Sequence, residues 1–226
     1  GDLCSLVQGK LRLAKVLQFQ VSREGELGEY SLKNGYIRSQ KKMSYDEVSN
    51  FLISDESEES AGEPNNQAIN QNLSTLDAVS KALLTNRQST SLVHTDRVEF
   101  AIELNDQQKI DAIKPKVFTV AHRIVEESMV AANCCVAKLL AETAQASIYI
   151  KHQGIRQDRF EALQKVLKEN LTQHQDEDIT TLPGFVNVMQ YVSSADDLKD
   201  YHLLMSRQLE KSTLSSTSTP HFGMGL

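Results

Sequence analysis

The chain has 226 residues, of which 40% are hydrophobic and 24% charged, and its formal net charge at pH 7 is −6. That length holds one large domain or two small ones, and the composition is ordinary globular material. The acidic balance excludes a surface that grips nucleic acid by bulk charge alone, although a local basic channel needs only a favourable distribution of charge.

Other classes fall away on similar grounds. No apolar run reaches the roughly 18 residues of a membrane helix, and no signal peptide is visible. Cys4, Cys134 and Cys135 make neither a disulfide framework nor a zinc-ligand spacing. They are expected to be reduced, buried small side chains in a cytoplasmic protein. The chain does not begin with Met and ends on His221-Phe-Gly-Met-Gly-Leu226 without a charged tail, so it reads as part of something longer.

In chain order, residues 11–22 alternate, with Leu11, Leu13, Leu17, Phe19 and Val21 on one face, and predict a half-buried strand. Arg23-Glu-Gly-Glu26 is a turn, and a second strand from about Glu29 to Arg38 places Tyr30, Leu32 and Tyr36 on one face of an antiparallel hairpin. Ser44-Tyr-Asp-Glu47 is a capping box that opens a helix over Tyr45–Leu52. The acidic stretch Asp55–Asn66 has almost nothing to bury and reads as a solvated loop. Ile69, Leu73, Leu76, Val79 and Leu83 recur at helical spacing and predict an amphipathic helix over 67–86. A strand is expected over 91–104, ending at the Asn105-Asp106 turn. The longest helix signal of the sequence follows, from Ala121 through Leu140. Beyond it come a short strand over Ser147–His152, a helix over Arg159–Leu171 with Phe160, Leu163, Val166 and Leu167 buried, a helix from Leu182, a last helix over about 196–210, and a loop from Thr213 to Pro220. A hairpin followed mainly by helices with scattered strands is α+β, with an antiparallel or mixed sheet and packed helices, rather than regular βαβ alternation.

Generic catalytic motifs are absent. There is no phosphate-binding glycine loop, G-x-S-x-G, H-E-x-x-H or C-x-x-C. The long helix is the place to look, because it is mostly small and apolar yet carries Arg123, Glu126, Glu127 and Asn133, and unpaired buried charge is costly. Arg123, Glu126, Val130 and Asn133 share one face by their spacing. They are either part of a surface ion-pair arrangement, with Arg123 on Glu126 or Glu127, or a polar stripe lining an internal channel.

Ile124-Val-Glu-Glu-Ser-Met-Val-Ala-Ala-Asn133 resembles the I-V-E-E-x-M-I-A-A-N helix of the ribonuclease II (RNB) family of exoribonucleases. Three other stretches agree in the same order along the chain. Asp2-Leu-Cys-Ser-Leu6 is similar to the family's D-L-C-S-L, Ile37-Arg-Ser-Gln-Lys-Lys-Met-Ser-Tyr-Asp-Glu-Val48 to its I-x-S-x-x-x-L-x-Y-x-x-V, and His221-Phe-Gly-Met-Gly-Leu226 to its H-F-G-L-x-L. The resemblance spans essentially the whole chain, 1–226, and implies an incomplete RNB catalytic domain. It implies a processive exoribonuclease that removes nucleotides hydrolytically from the 3′ end of single-stranded RNA, releasing nucleoside 5′-monophosphates. RNA threads a channel too narrow for a duplex, and clustered aspartates hold magnesium. Single-stranded RNA is the expected partner, with no DNA and no membrane, and a monomer is the expected state.

The resemblance also implies site residues. Tyr45 falls on a cavity-lining tyrosine; alternatively it packs at the helix entry. Glu126 falls on a channel glutamate and is expected to position the RNA end or contribute to the field around the metal. His94 falls where the family has a base-stacking phenylalanine; it stacks less extensively, or is an ordinary strand histidine. Arg123 and Asn133 contact phosphate or brace the helix. His221 lines the active site or serves an H-F-G turn. The family's D-x(5)-D-x-D-D cluster and its S-P-I-R-K/R-Y motif are expected upstream of Gly1 and downstream of Leu226. No metal ligand is therefore expected in this chain, magnesium is expected for the full-length enzyme, and much of the basic RNA path lies elsewhere. Two other readings stay open: a non-catalytic RNA-binding or regulatory relative with the same fold, and an unrelated α+β interaction domain.

Overall fold

The computed structural model describes residues 3–54, 64–90, 100–143, 147–219 and 221–224. These residues form α+β architecture, with three two-stranded antiparallel sheets and six α-helices. The chain divides into two compact units, Gly1–Asn86 with Phe100–Val136, and Arg87–Glu99 with Ala137–Leu226.

In the first unit, strands β1 (Leu11–Val21) and β2 (Leu27–Arg38) pair with Leu13 opposite Tyr36, Leu17 opposite Leu32 and Phe19 opposite Tyr30. The expected apolar residues do face one another, yet Leu11, Leu13, Leu32 and Tyr36 are exposed. The reason is that the hairpin is held at its tip. Gly25 lies against Ala82 and Asn86, and the Asn86 side-chain amide donates to the Gly25 carbonyl at 3.0 Å. Only the tip half of the apolar face is covered. Ser22 shapes that tip, its Oγ accepting from the backbone N–H groups of Glu24 and Glu26, both at 3.2 Å.

The predicted capping box is present at α1 (Tyr45–Ile53). The Glu47 N–H donates to Ser44 Oγ at 3.2 Å, and the Ser44 N–H donates to the Glu47 carboxylate at 2.6 Å. These bonds hold the Glu47 carboxyl below the usual carboxylate range. Helix α2 (Pro64–Thr90) is longer than predicted, at 27 residues the longest helix among the described residues, and Ile69, Leu73, Val79 and Leu83 of its predicted stripe are covered. Leu76 is exposed, while Ser80 is buried in the face that meets the first unit's other long helix. Strands β3 (Phe100–Leu104) and β4 (Ile110–Pro115) form a second hairpin with Ile102 opposite Ile113. Strand β4 escapes the sequence reading because Ile110 and Ile113 fall on opposite faces, so no alternation marks it. The Asn105 side chain shapes the turn, accepting from the N–H groups of Gln107 and Lys109, both at 3.0 Å. Helix α3 (Val120–Glu142) buries Ala121, Ile124, Glu127, Val130, Ala131 and Cys135.

The second unit carries the larger apolar core. Helices α4 (Phe160–Asn170), α5 (Leu182–Ser193) and α6 (Lys199–Arg207) bury Leu163, Leu167, Phe185, Val188, Met189, Val192 and Met205. Each fully buried side chain of this size contributes roughly 1.5–3 kcal/mol. Strand β5 (Tyr149–Lys151) pairs with β6 (Thr213–Ser215), which the sequence reading placed in a loop. A three-residue strand of Thr, Leu and Ser carries no apolar period and is recognised only by its partner.

The expectation of buried cysteines holds for Cys135, while Cys134 is half-buried and Cys4 is exposed. Among the described residues, no helix is long and apolar enough to cross a membrane. The stretches 55–63 and 91–99, which hold most of the acidic loop, His94 and most of the strand expected over 91–104, lie outside the described residues, while Pro64, Asn65 and Asn66, read as the end of that loop, open α2 instead.

Gly25 is the tightest point of the first unit. Its φ is +82°, and a Cβ there would run into the Ala82 carbonyl. Gly25→Ala is therefore expected to destabilise the fold by about 2 kcal/mol or more, from backbone strain and overpacking together. Urea unfolding of the variant against wild type measures this, with the loss read from the transition midpoint.

Candidate functional site

The rotation of α3 decides which of its residues can act. Its small buried face fixes Arg123 toward α2, where the Arg123 Nη2 donates to Asp77 Oδ1 at 2.7 Å and Nε donates to Ser80 Oγ at 3.4 Å. Both partners of the ion pair are largely covered, at 24% and 14% side-chain exposure. Asp77 is also paired with Lys81 at 2.7 Å. Ser80 donates its own hydroxyl proton to the Asp77 carbonyl at 2.9 Å, and its small size lets the guanidinium approach. Arg123 therefore pairs across to another helix, not along its own to Glu126 or Glu127. Glu127 is buried and Val130 is buried, so the face read from Arg123, Glu126, Val130 and Asn133 is not the solvent face. The exposed edge of α3 instead carries Val125, Glu126, Met129 and Asn133, with His122 half-buried one turn before Glu126.

At the N-terminal end of that edge the structure assembles three rings. Tyr45, the first residue of α1, stacks on His122 with ring centroids 4.0 Å apart and planes 10° from parallel. Phe118 lies tilted against the imidazole, 5.4 Å from its centroid at 37°. Tyr45 and Phe118 are exposed. Tyr45 thus stacks on the residue one turn before Glu126, His122, which sequence reasoning passed over. The available signal was Thr119-x-x-His122, the spacing of a capping box with histidine in the glutamate position.

His221 belongs to the second unit and has a different setting. It bridges to His152, and the two rings lie 5.2 Å apart. The Phe222 N–H donates to the His152 carbonyl at 3.1 Å, which delivers the Phe222 ring into the core against Phe185 and over Gly154. His221 Nε2 meets Ser212 Oγ at 3.2 Å. The turn is part of an open pocket lined by Lys151, His152, Gln153 and Phe222. Burial pushes both imidazoles below the usual histidine range, and for His152 the neighbouring His221 adds to the effect.

Among the described residues no three His, Cys, Asp or Glu side chains are grouped to hold a metal ion.

The RNB domain family model matches residues 1–226. The chain belongs to the RNB domain family. Exoribonuclease 2 of Haemophilus ducreyi is 28% identical over 236 residues, covering 100% of this chain and 35% of that protein. The RNB chain thus spans about a third of the length of the curated relatives it matches. RNase R of Mycoplasma genitalium, solved in complex with ribose methylated single-stranded RNA, has 20% identity and a TM-score of 0.83 over 99% of this chain and 34% of that one. Yeast Ssd1, described as a pseudonuclease, has 12% identity and a TM-score of 0.65 over 100% of this chain and 27% of that one. The two structural likenesses show that the RNB fold is shared.

The histidine pair of the RNB chain makes stability depend on pH. An unfolded chain takes up protons on both histidines near the ordinary value of 6.5, whereas the folded pair resists them. The contribution is fully present above that value and is lost as pH falls through the depressed folded values. The melting temperature is expected to fall between pH 7.5 and 5.5, and the fall should be smaller in His221→Phe; thermal melts at the two pH values provide the measurement.

Proposed function

We propose that the chain is part of a processive exoribonuclease that hydrolyses single-stranded RNA from the 3′ end to nucleoside 5′-monophosphates, and that the exposed edge of α3 with the first residue of α1 receives the RNA end. The observation that carries this is the exposed Tyr45 ring, stacked on a helix whose next turn presents an exposed Glu126, in a chain matched throughout by the RNB family. The RNA-bound state of the Mycoplasma genitalium neighbour supports single-stranded RNA as the ligand class.

Each residue has a role set by its chemistry. Tyr45 offers an aromatic face, and such a face holds any base because every base has a π surface. Glu126 is an acceptor that repels phosphate, so its natural partner on RNA is a ribose hydroxyl, which also distinguishes RNA from DNA. Arg123, tied to Asp77, is assigned the bracing role rather than a phosphate contact. Asn133 is exposed on the Glu126 edge and is placed beside the RNA path. His221 is assigned to the turn that seats Phe222. Magnesium, held by aspartates outside this chain, would supply the activated water and the charge stabilisation at phosphate. The 226-residue chain alone is accordingly expected to be inactive, and the full-length protein to act as a cytoplasmic monomer.

A second reading is a non-catalytic RNA-binding relative, favoured by the fold shared with the yeast pseudonuclease. Release of mononucleotides from 3′-terminated single-stranded RNA by the full-length protein separates the two, since the second reading allows binding without release.

In that assay, Glu126→Ala should lower turnover by on the order of 100-fold, comparable to the loss of one preorganised polar contact in other active sites, while the melting temperature stays near wild type. A drop in melting temperature with turnover intact would make Glu126 a structural residue. Tyr45→Ala should weaken RNA binding by about 1–3 kcal/mol, measured by fluorescence anisotropy with labelled single-stranded RNA.

A further inference from the structure

We infer that His122 is a positioning residue for Tyr45, covering one face of the phenol ring so that a single nucleobase stacks on the other. The inference rests on the proposal that Tyr45 holds RNA.

The geometry carries it in three steps. First, the two rings are stacked and nearly parallel, their planes 10° apart and their centroids 4.0 Å apart. No third ring fits between them, so one Tyr45 face is occupied. Second, the imidazole is itself fixed. Its Nδ1 accepts from the Thr119 backbone N–H at 3.3 Å and lies 2.8 Å from the Thr119 hydroxyl. Third, Thr119 is fixed in turn, since its carbonyl accepts from the Arg123 N–H at 3.2 Å as α3 begins. The chain of contacts runs from the start of α3 through Thr119 and His122 to Tyr45.

The consequence is preorganisation. Tyr45 is 46% exposed and sits in the first turn of α1, where an unsupported ring would sample several rotamers. Stacking on a held imidazole removes that freedom before RNA arrives, which lowers the ordering cost of binding. It also makes the site a platform for one base rather than a slot between two rings of this pair.

The test uses the full-length protein with a labelled oligoadenylate, in steady-state kinetics and equilibrium binding, with melting temperatures recorded. Wild type, Tyr45→Ala, His122→Ala, His122→Phe and the Tyr45→Ala/His122→Ala double variant are compared. His122→Ala is expected to weaken RNA binding about fivefold or more, as expected for loss of one ordered stacking contact, with the loss falling on KM rather than kcat. His122→Phe, which keeps a flat ring against Tyr45, should restore most of the affinity. The double variant should be no weaker than Tyr45→Ala alone. If His122→Ala binds RNA as wild type while Tyr45→Ala is weakened, or if the two losses add fully, the inference is overturned and the role of Tyr45 stands. If Tyr45→Ala is itself silent, the underlying RNA reading fails. Should His122→Ala not fold, Thr119→Val removes the hydroxyl that holds the ring. A raised KM then supports the inference, and a wild-type KM contradicts it.

Discussion

The half-buried ion pair between Arg123 and Asp77 is the constraint on which the first unit's candidate site depends. Its value lies in geometry more than in energy. An exposed pair is worth about 0–1 kcal/mol, whereas losing one partner of a buried pair costs about 3–5 kcal/mol, and this pair lies between those limits. What it does is fix the rotation of α3. The buried face of α3 is mostly small and apolar, with Glu127 its one charged member, and such smooth side chains leave several rotations open. The planar guanidinium, reaching both Asp77 and Ser80, selects one.

Once that rotation is set, the rest of the edge follows. Glu126 and Met129 are exposed, and His122 is brought under the Tyr45 ring. A helix that is mainly core material thereby keeps a narrow polar edge. Its charges divide accordingly: Arg123 serves the packing, Glu127 lies in the buried face, and Glu126 faces outward. The net charge of −6 is compatible with this, since a site built from a ring face and one carboxylate does not hold RNA by bulk charge.

Much of the fold was legible in the sequence wherever a local rule acts alone. The capping box at Ser44 placed the start of α1 to the residue, because both of its hydrogen bonds lie within four residues. The paired strands β1 and β2 were legible from alternation and turn residues, but their burial was not. Whether Leu13 and Tyr36 are covered depends on where Gly25 docks, which is a tertiary fact. Strands β4 and β6 were invisible for the complementary reason, having partners but no apolar period. In the candidate site, Tyr45 and Glu126 came from family resemblance, whereas His122 had to come from the structure. A histidine three residues beyond a threonine is unremarkable until its ring is found beneath another.

The central claim is that the 3′ end of RNA lies on the surface made by α1 and α3. Photocrosslinking tests it most directly, using the full-length protein and single-stranded RNA with 5-iodouridine as its 3′-terminal nucleotide. Mass spectrometry of the digested adduct is predicted to place the crosslink on Tyr45. Efficient crosslinks confined to peptides outside α1 and α3 would contradict it.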